Sequence, residues 1–233
     1  MNKNITEFFF PRHCPICDRV LGRDEEICDD CKTIPRPVPP PHCKKCGKHV
    51  SEPGSDYCYD CLRTPRAFDR GFSLYEYVSI HDSISLFKNL VRPDYGEYYG
   101  KMMGRTFYGE LTSLEADALI PIPLSEKRFR ERGYNQSAIL ANEISQITKI
   151  PVYEDFLLRA HPTKVQKHLS RSERQNNMKK AFHIPQNDVK LKTVILVDDI
   201  YTTGSTVGAA AAALKGVGIN RVYFITLATG RGY

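Results

Sequence analysis

Beyond about residue 66, short apolar runs alternate with longer stretches of helical periodicity, the pattern of a sheet wrapped by helices. Val194 to Val197 are four apolar residues in a row, which predicts a short strand buried on both faces, as in a parallel sheet. Ala118 to Ile120 predicts a second short strand, and Arg221 to Leu227 a third, carried by Val222, Phe224 and Ile225. Gly71 to Ser79 alternates, with Phe72, Leu74, Tyr75 and Tyr77, and predicts a fourth. Between the strands, Ile84, Phe87 and Val91 share one face of a helix that Pro93 ends. A further helix is predicted from about Gly96 to Leu111, with Tyr99, Met102, Met103, Thr106 and Phe107 inward. Tyr95 and Tyr98 are read as core rather than as stacking surfaces. Asn135 is a good N-cap for a helix with the stripe Leu140, Ile144 and Ile147, and Val207 to Leu214 is an alanine-rich helix. Strands followed by helices predict an α/β domain with a mostly parallel sheet flanked by helices.

Where the Val194 to Val197 strand ends, the chain turns polar: Asp198-Asp199-Ile200-Tyr201-Thr202-Thr203-Gly204-Ser205-Thr206, and then the alanine-rich helix. The carboxyl end of a buried strand opening onto a helix N-terminus is the usual ligand crevice of an open α/β sheet. The first helical N–H groups lack partners and favour an anion. Thr202, Thr203, Ser205 and Thr206 add hydroxyls, and Gly204 lets the backbone curl round a phosphate. Asp198 and Asp199 suit sugar hydroxyls or Mg²⁺. A phosphate cup beside two acceptors fits a ribose 5-phosphate.

The first quarter of the chain reads differently. Its eight cysteines form four Cys-x-x-Cys pairs, Cys14/Cys17, Cys28/Cys31, Cys43/Cys46 and Cys58/Cys61, in two similar halves. Each pair is a two-thiolate knuckle, and two knuckles complete a tetrahedral Cys₄ zinc site with no open position for catalysis. The pattern predicts two structural zincs, paired either sequentially or in a cross-braced manner. Pro35 to Pro41, with five prolines, joins the halves as a stiff spacer.

Charge adds a second anion crevice. After Pro121-Ile122-Pro123 come Lys127, Arg128, Arg130 and Arg132, just before the Asn135 helix. Two crevices on one sheet suit a ligand with two anionic ends. Arg159 to Lys180 then carries seven basic residues against one acid, Glu173. That stretch reads as a basic cover over a leaving anion, as a nucleic-acid patch, or as both. Lys88, in the helix that Pro93 ends, is read either as pointing into the cleft or, by default, as exposed. At 233 residues, with 41% hydrophobic residues and a net charge of +6, the chain holds one sizeable domain and a small one, and tolerates a polyanion without requiring it. No apolar run approaches the ~18 residues of a membrane span, and Phe8 to Phe10 is too short for a signal peptide. A cytoplasmic protein is expected, reaching the inner face of the membrane only through partners.

Val194 to Thr206 resembles the PRPP-binding motif of type I phosphoribosyltransferases: apolar run, Asp-Asp, apolar, any residue, Thr-Thr-Gly-any-Thr. Pro121-x-Pro123, Arg128 and Arg132-Gly133-Tyr134-Asn135-Gln136-Ser137 resemble the ComF family. So do Thr163, Gln166, Leu169-Ser170-Arg171, Arg174, Asn177 and Ala181-Phe182. These are the phosphoribosyltransferase-like proteins of bacterial DNA uptake in natural competence, and they also carry an N-terminal double zinc ribbon. The resemblance spans nearly the whole chain. It implies a zinc ribbon at 1–65 and a type I phosphoribosyltransferase-like domain at 66–233. It implies that Thr202, Thr203, Gly204, Ser205 and Thr206 hold the 5-phosphate of PRPP. Asp198 and Asp199 are then the catalytic pair, taking the ribose hydroxyls and steadying an oxocarbenium-like centre. Arg128, Arg132 and a mobile loop bearing Arg159, Lys167, Arg171 and Arg174 would neutralise pyrophosphate, with Mg²⁺ bridging pyrophosphate and ribose oxygens. A separate hood often reads the base in that superfamily, and here residues 66–95 are expected to serve. The implied role is single-stranded DNA import with the competence helicase as partner, with phosphoribosyl transfer to an unknown nitrogen acceptor. The alternatives are a non-catalytic, PRPP-responsive nucleic-acid binder or a nucleobase-salvage phosphoribosyltransferase.

Overall fold

The computed structural model describes residues 11–22, 24–89, 92–160, 181–185 and 189–230. The main sheet has four parallel strands, β1 (Arg70–Glu76), β2 (Ala118–Pro121), β5 (Thr193–Tyr201) and β6 (Arg221–Thr229), in the order β1-β6-β5-β2. Between β2 and β5 in the chain, β3 (Leu158–Arg159) and β4 (Phe182–His183) form a small antiparallel ribbon. Among the described residues the α-helices are α1 (Tyr59–Arg63), α2 (Tyr77–Asn89), α3 (Pro93–Thr106), α4 (Tyr108–Ser113), α5 (Glu126–Arg132), α6 (Gln136–Thr148) and α7 (Ser205–Gly216).

Val194 to Val197 are fully buried, as a central parallel strand with both faces covered requires. Ile195 and Val197 pack with Ile84, Phe87, Tyr99, Met103, Leu140 and Ile144 of α2, α3 and α6. Val194 and Leu196 pack with Phe68, with Val207, Ala210, Ala211 and Leu214 of α7, and with Val50 and Cys46 of the cysteine-rich segment. The alanine face of α7 lets that helix sit close to the sheet.

Several boundaries depart from the sequence expectations for physical reasons. β5 does not stop before the aspartates; it runs to Tyr201, because β6 continues alongside it with Asp198 opposite Thr226 and Tyr201 opposite Thr229. β1 ends at Glu76, and Tyr77 and Ser79 already belong to α2, which is kinked at Ile80. Pro93 opens α3 at its first turn, where its missing N–H costs nothing. The helix expected from about Gly96 to Leu111 is two helices, broken at Phe107 (φ −105°, ψ 19°), and Thr106 is exposed rather than inward. Tyr95 and Tyr99 are core, and Tyr98 packs at its edge.

The eight cysteines fall into two groups of four, and within each group all sulfurs lie within 4.8 Å of one another: Cys14, Cys17, Cys28 and Cys31, then Cys43, Cys46, Cys58 and Cys61. The pairing is therefore sequential. Cys17 and Cys28, and likewise Cys46 and Cys58, have sulfurs 3.6 Å apart. A tetrahedral zinc with bonds of about 2.3 Å demands a sulfur–sulfur edge of about 3.8 Å, so both donor sets fit the ion. The first ribbon sits against α2 and α3: Tyr95 donates to the Asp18 carboxylate at 2.5 Å, Arg92 pairs with it at 2.9 Å, and the Ser83 hydroxyl donates to the Pro15 carbonyl. Partial burial resists ionisation of Asp18, but Tyr95, Arg92 and His13 outweigh it and hold its carboxyl below the usual range.

The second ribbon joins the sheet. The Gly71 N–H donates to the Lys45 carbonyl at 2.9 Å, and at Gly47 (φ +75°) a side chain would meet the Gly71 carbonyl at 2.7 Å. The proline-rich stretch is more than a spacer. Pro37 pairs antiparallel with Tyr75, the Val38 N–H donates to Leu74 and the Glu76 N–H to Arg36. Proline cannot donate, but Val38 can, so this segment covers the outer edge of β1 and shields it from other chains.

Candidate PRPP site

The site lies at the carboxyl end of β5. β2 stops at Pro121, opposite Val197, and the Ile122 N–H makes the last bond to the Val197 carbonyl at 2.9 Å. From Asp198 onward β5 keeps β6 on one side but, among the described residues, has no strand paired on the other, which is the step in a parallel sheet where a ligand can enter.

Asp198 is held by two hydrogen bonds. Its Oδ1 accepts from the Asp199 N–H at 2.9 Å and from the Ser137 hydroxyl at 3.2 Å, and Asp199 stands beside it. Ser137 opens α6 because Asn135 caps that helix, accepting from the Ser137 N–H at 3.1 Å and donating to the Ile122 carbonyl at 3.1 Å. Burial, followed by the charge of Asp199, pushes the Asp198 carboxyl up to about 7, against the pull of the Asp199 N–H, Lys88 and Ser137. Asp199 pairs instead with Lys88 Nζ at 2.7 Å, both side chains being largely buried. Neighbouring carboxylates are thus kept in different surroundings, one poised near neutrality and one ion-paired.

Next to them, Thr202-Thr203-Gly204 turns the chain into α7. Gly204 is the N-cap residue at φ +73°, ψ 12°, and no side chain among the described residues caps the helix. By contrast, α5 is capped by Ser125 and α6 by Asn135. The first N–H groups of α7 are left for a ligand, beside the exposed Thr202 and Thr203 and the part-exposed Ser205 and Thr206. The Thr203 and Ser205 hydroxyls bond each other at 2.7 Å across the glycine. A loop of small hydroxyl side chains, left-handed glycine and uncapped helix N-terminus can grip a phosphoryl group.

Three of the expected basic groups belong to the described residues. Arg132 donates to the Gln136 side chain at 3.0 Å, whereas Arg128 is exposed on α5. Arg159, on β3, lies with its guanidinium 5.4 Å from the Phe182 ring centre. Burial and then Arg128 draw its pKa down, with Asp198 opposing, so it sits in the field of both. The ribbon is closed by Arg159 opposite Phe182 and by the Ala160 N–H to the Ala181 carbonyl at 2.9 Å. Lys167, Arg171 and Arg174 lie outside the described residues.

Sequence reasoning left Lys88 between the cleft and an exposed default, and gave Ser137 no role of its own; the structure puts Lys88 on Asp199. Lys88 follows Ile84 by four residues, which puts it on the buried face of α2, and that spacing was the available signal. Ser137 follows an N-cap, so its place at the crevice depended on locating the α6 start.

Comparison with known proteins matches two parts of the chain. Residues 5–62 match the family described as double zinc ribbon domain, and residues 135–233 match the phosphoribosyl transferase domain family. The chain is 26% identical over 191 residues to "Competence protein F" of Haemophilus influenzae, covering 78% of this chain and 82% of that one. It is 27% identical over 218 residues to "Competence protein ComFC" of Bacillus subtilis, covering 84% and 80%. It is 26% identical over 208 residues to "DNA utilization protein YhgH" of Escherichia coli O157:H7, covering 86% and 83%. Among the described residues no helix is long and apolar enough to cross a membrane. Two sequential four-cysteine clusters, a parallel sheet ending in this loop, and relatives matched along most of their length make the chain a member of the ComF family, with a double zinc ribbon and a phosphoribosyltransferase domain.

Proposed function

We propose that this chain binds PRPP with its Mg²⁺ at the carboxyl end of β5 and acts in DNA uptake during natural competence. The observation that carries the reading is the uncapped N-terminus of α7 behind a left-handed Gly204, one turn from two aspartates in unlike environments. Gly204 and the hydroxyls of Thr202, Thr203, Ser205 and Thr206 hold the 5-phosphate. Asp198 and Asp199 accept from the ribose hydroxyls, and Asp199 exchanges its bond to Lys88 for one to the sugar. Arg128, Arg132 and Arg159 face the pyrophosphate, and Mg²⁺ enters as part of the substrate complex. Loss of pyrophosphate leaves positive charge on the ribose ring, which the ionised aspartates stabilise while a nitrogen nucleophile attacks C1.

The names of the relatives support a role in competence and DNA utilisation. In that role single-stranded DNA and the competence helicase are the partners.

Titration calorimetry with PRPP and Mg²⁺ tests the site. Asp198→Asn combined with Asp199→Asn removes two charge-assisted hydrogen bonds, each worth about 1.5–3 kcal/mol. Affinity is expected to fall by about a hundredfold or more, with zinc content unchanged. Unchanged affinity would remove the ribose assignment. For DNA, anisotropy with a labelled single strand is expected to fall steeply with salt, and to fall further when Lys167, Arg171 and Arg174 are reversed in charge.

A further inference from the structure

Tyr201 ends β5 just before the phosphate loop. It is buried, and among the described residues its hydroxyl has no hydrogen-bond partner. A buried phenol usually finds a partner, so this ring is held by its faces rather than by its oxygen. One face stacks on Phe224, with ring centres 4.8 Å apart and an interplanar angle of 14°, and the Phe68 ring meets it edge-on at 6.1 Å. The Lys48 ammonium lies 5.5 Å from its centre. Lys48 is itself buried and pairs with the Asp60 carboxylate at 3.0 Å. Lys48 follows Cys46 by two residues, and Asp60 lies between Cys58 and Cys61, so this ion pair ties the two knuckles of the second cysteine cluster together. At its hydroxyl end Tyr201 touches the loop. A side chain at Gly204 would run into the Tyr201 hydroxyl and meet its ring carbons at 2.8 Å. Burial raises the Tyr201 phenol well above its usual pKa.

We propose that Tyr201, clamped between the Lys48–Asp60 pair of the second zinc ribbon and Gly204, is a positioning residue for the phosphate loop. The second ribbon is then part of the PRPP site. This inference rests on the PRPP reading for its ligand, but not for its mechanics. The ring sets how closely the Gly204 turn approaches the sheet, and so where the first N–H groups of α7 point. Displacing such groups by about 1 Å costs affinity steeply.

The test uses the full chain with ribose 5-phosphate and pyrophosphate as separate probes, and hydrogen exchange of residues 201–208 as a readout that needs no ligand. Tyr201→Leu is expected to speed exchange in that segment and to weaken ribose 5-phosphate by about tenfold or more. Pyrophosphate should stay within about twofold, with both zincs retained. Tyr201→Phe, which keeps the ring and drops only the unpartnered hydroxyl, should behave as the wild type. If Tyr201→Leu does not fold, Lys48→Met is read the same way. Wild-type binding of ribose 5-phosphate with exchange and affinity both unmoved in Tyr201→Leu overturns the clamp and leaves the ligand reading standing. Faster exchange in a protein that binds no ribose 5-phosphate sustains the clamp and removes the ligand reading.

Discussion

Asp198 concentrates the chemistry of the site in one carboxyl group. Its native pKa of about 7 lies above the usual carboxylate value, through burial first and Asp199 second. Between about pH 4 and about pH 7 the folded chain holds a proton there that the unfolded chain has lost. This contribution to stability is therefore present at low pH and is lost as pH rises to about 7. Ligand binding runs the other way, because ribose hydroxyls need the ionised acceptor: PRPP affinity should rise with pH through about 7 and then level. Asp198→Asn should flatten that profile. It should also raise the denaturation midpoint more at about pH 8 than at about pH 5, because the amide removes a buried charge only where that charge exists. A midpoint gain that is equal at both pH values would contradict the raised pKa. Gly204 gives a second residue-scale test. Gly204→Ala forces a left-handed alanine, at about 1 kcal/mol, and drives its methyl into Tyr201. Ribose 5-phosphate affinity should drop by about tenfold in calorimetry.

At the scale of elements, the α3–α6 contact supports the crevice from below, since α6 carries Ser137. Gly96, Gly100 and Gly104 recur every four residues along α3. Side chains there would meet Ile139, Glu143 and Ile147 of α6, so the helices touch backbone to side chain. Gly100→Val should overpack this contact and lower stability by about 1–3 kcal/mol in denaturant unfolding, more than helix propensity returns. Lys88, at the end of α2, acts on the same pair from the other flank. Lys88→Met removes a charge that lowers the Asp198 pKa, so the pH midpoint of PRPP affinity should move upward. Much of this layer was legible in the sequence. Val194 to Val197 could only be a doubly buried strand, and Asn135 could be read as a cap from its residue type. Where the reading fell short, tertiary contacts decided. β5 outran its apolar run because β6 kept pairing with it, and the helix near Phe107 broke although its periodicity did not. The β3–β4 ribbon, two residues a side, leaves no periodic trace at all.

For the whole molecule, the two zinc ribbons are unequal. Cys43, Cys46 and Cys58 belong to the same apolar cluster as Leu196 and Phe224, whereas Cys14, Cys28 and Cys31 form a cluster of their own. Losing metal at the second site should therefore loosen the domain core. Cys46→Ser is expected to lower the main thermal transition by more than about 5 °C, and Cys14→Ser by much less, each losing one zinc per chain. Equal shifts would mean that the ribbons are equivalent attachments. The Cys-x-x-Cys spacing told of two metal sites but not of this asymmetry. That depends on Gly47 against Gly71, Val38 against Leu74 and Lys48 over Tyr201. The proline-rich stretch likewise announced stiffness in its composition, while its use as a cover for β1 depended on which single N–H faced the strand.

The most direct measurement is a crystal structure of the full chain grown with PRPP and Mg²⁺. The account expects the 5-phosphate against the Gly204 turn and the first N–H groups of α7, the ribose hydroxyls on Asp198 and Asp199, and Lys88 released from Asp199. A saturated crystal with that turn empty and the Lys88–Asp199 pair intact would contradict it.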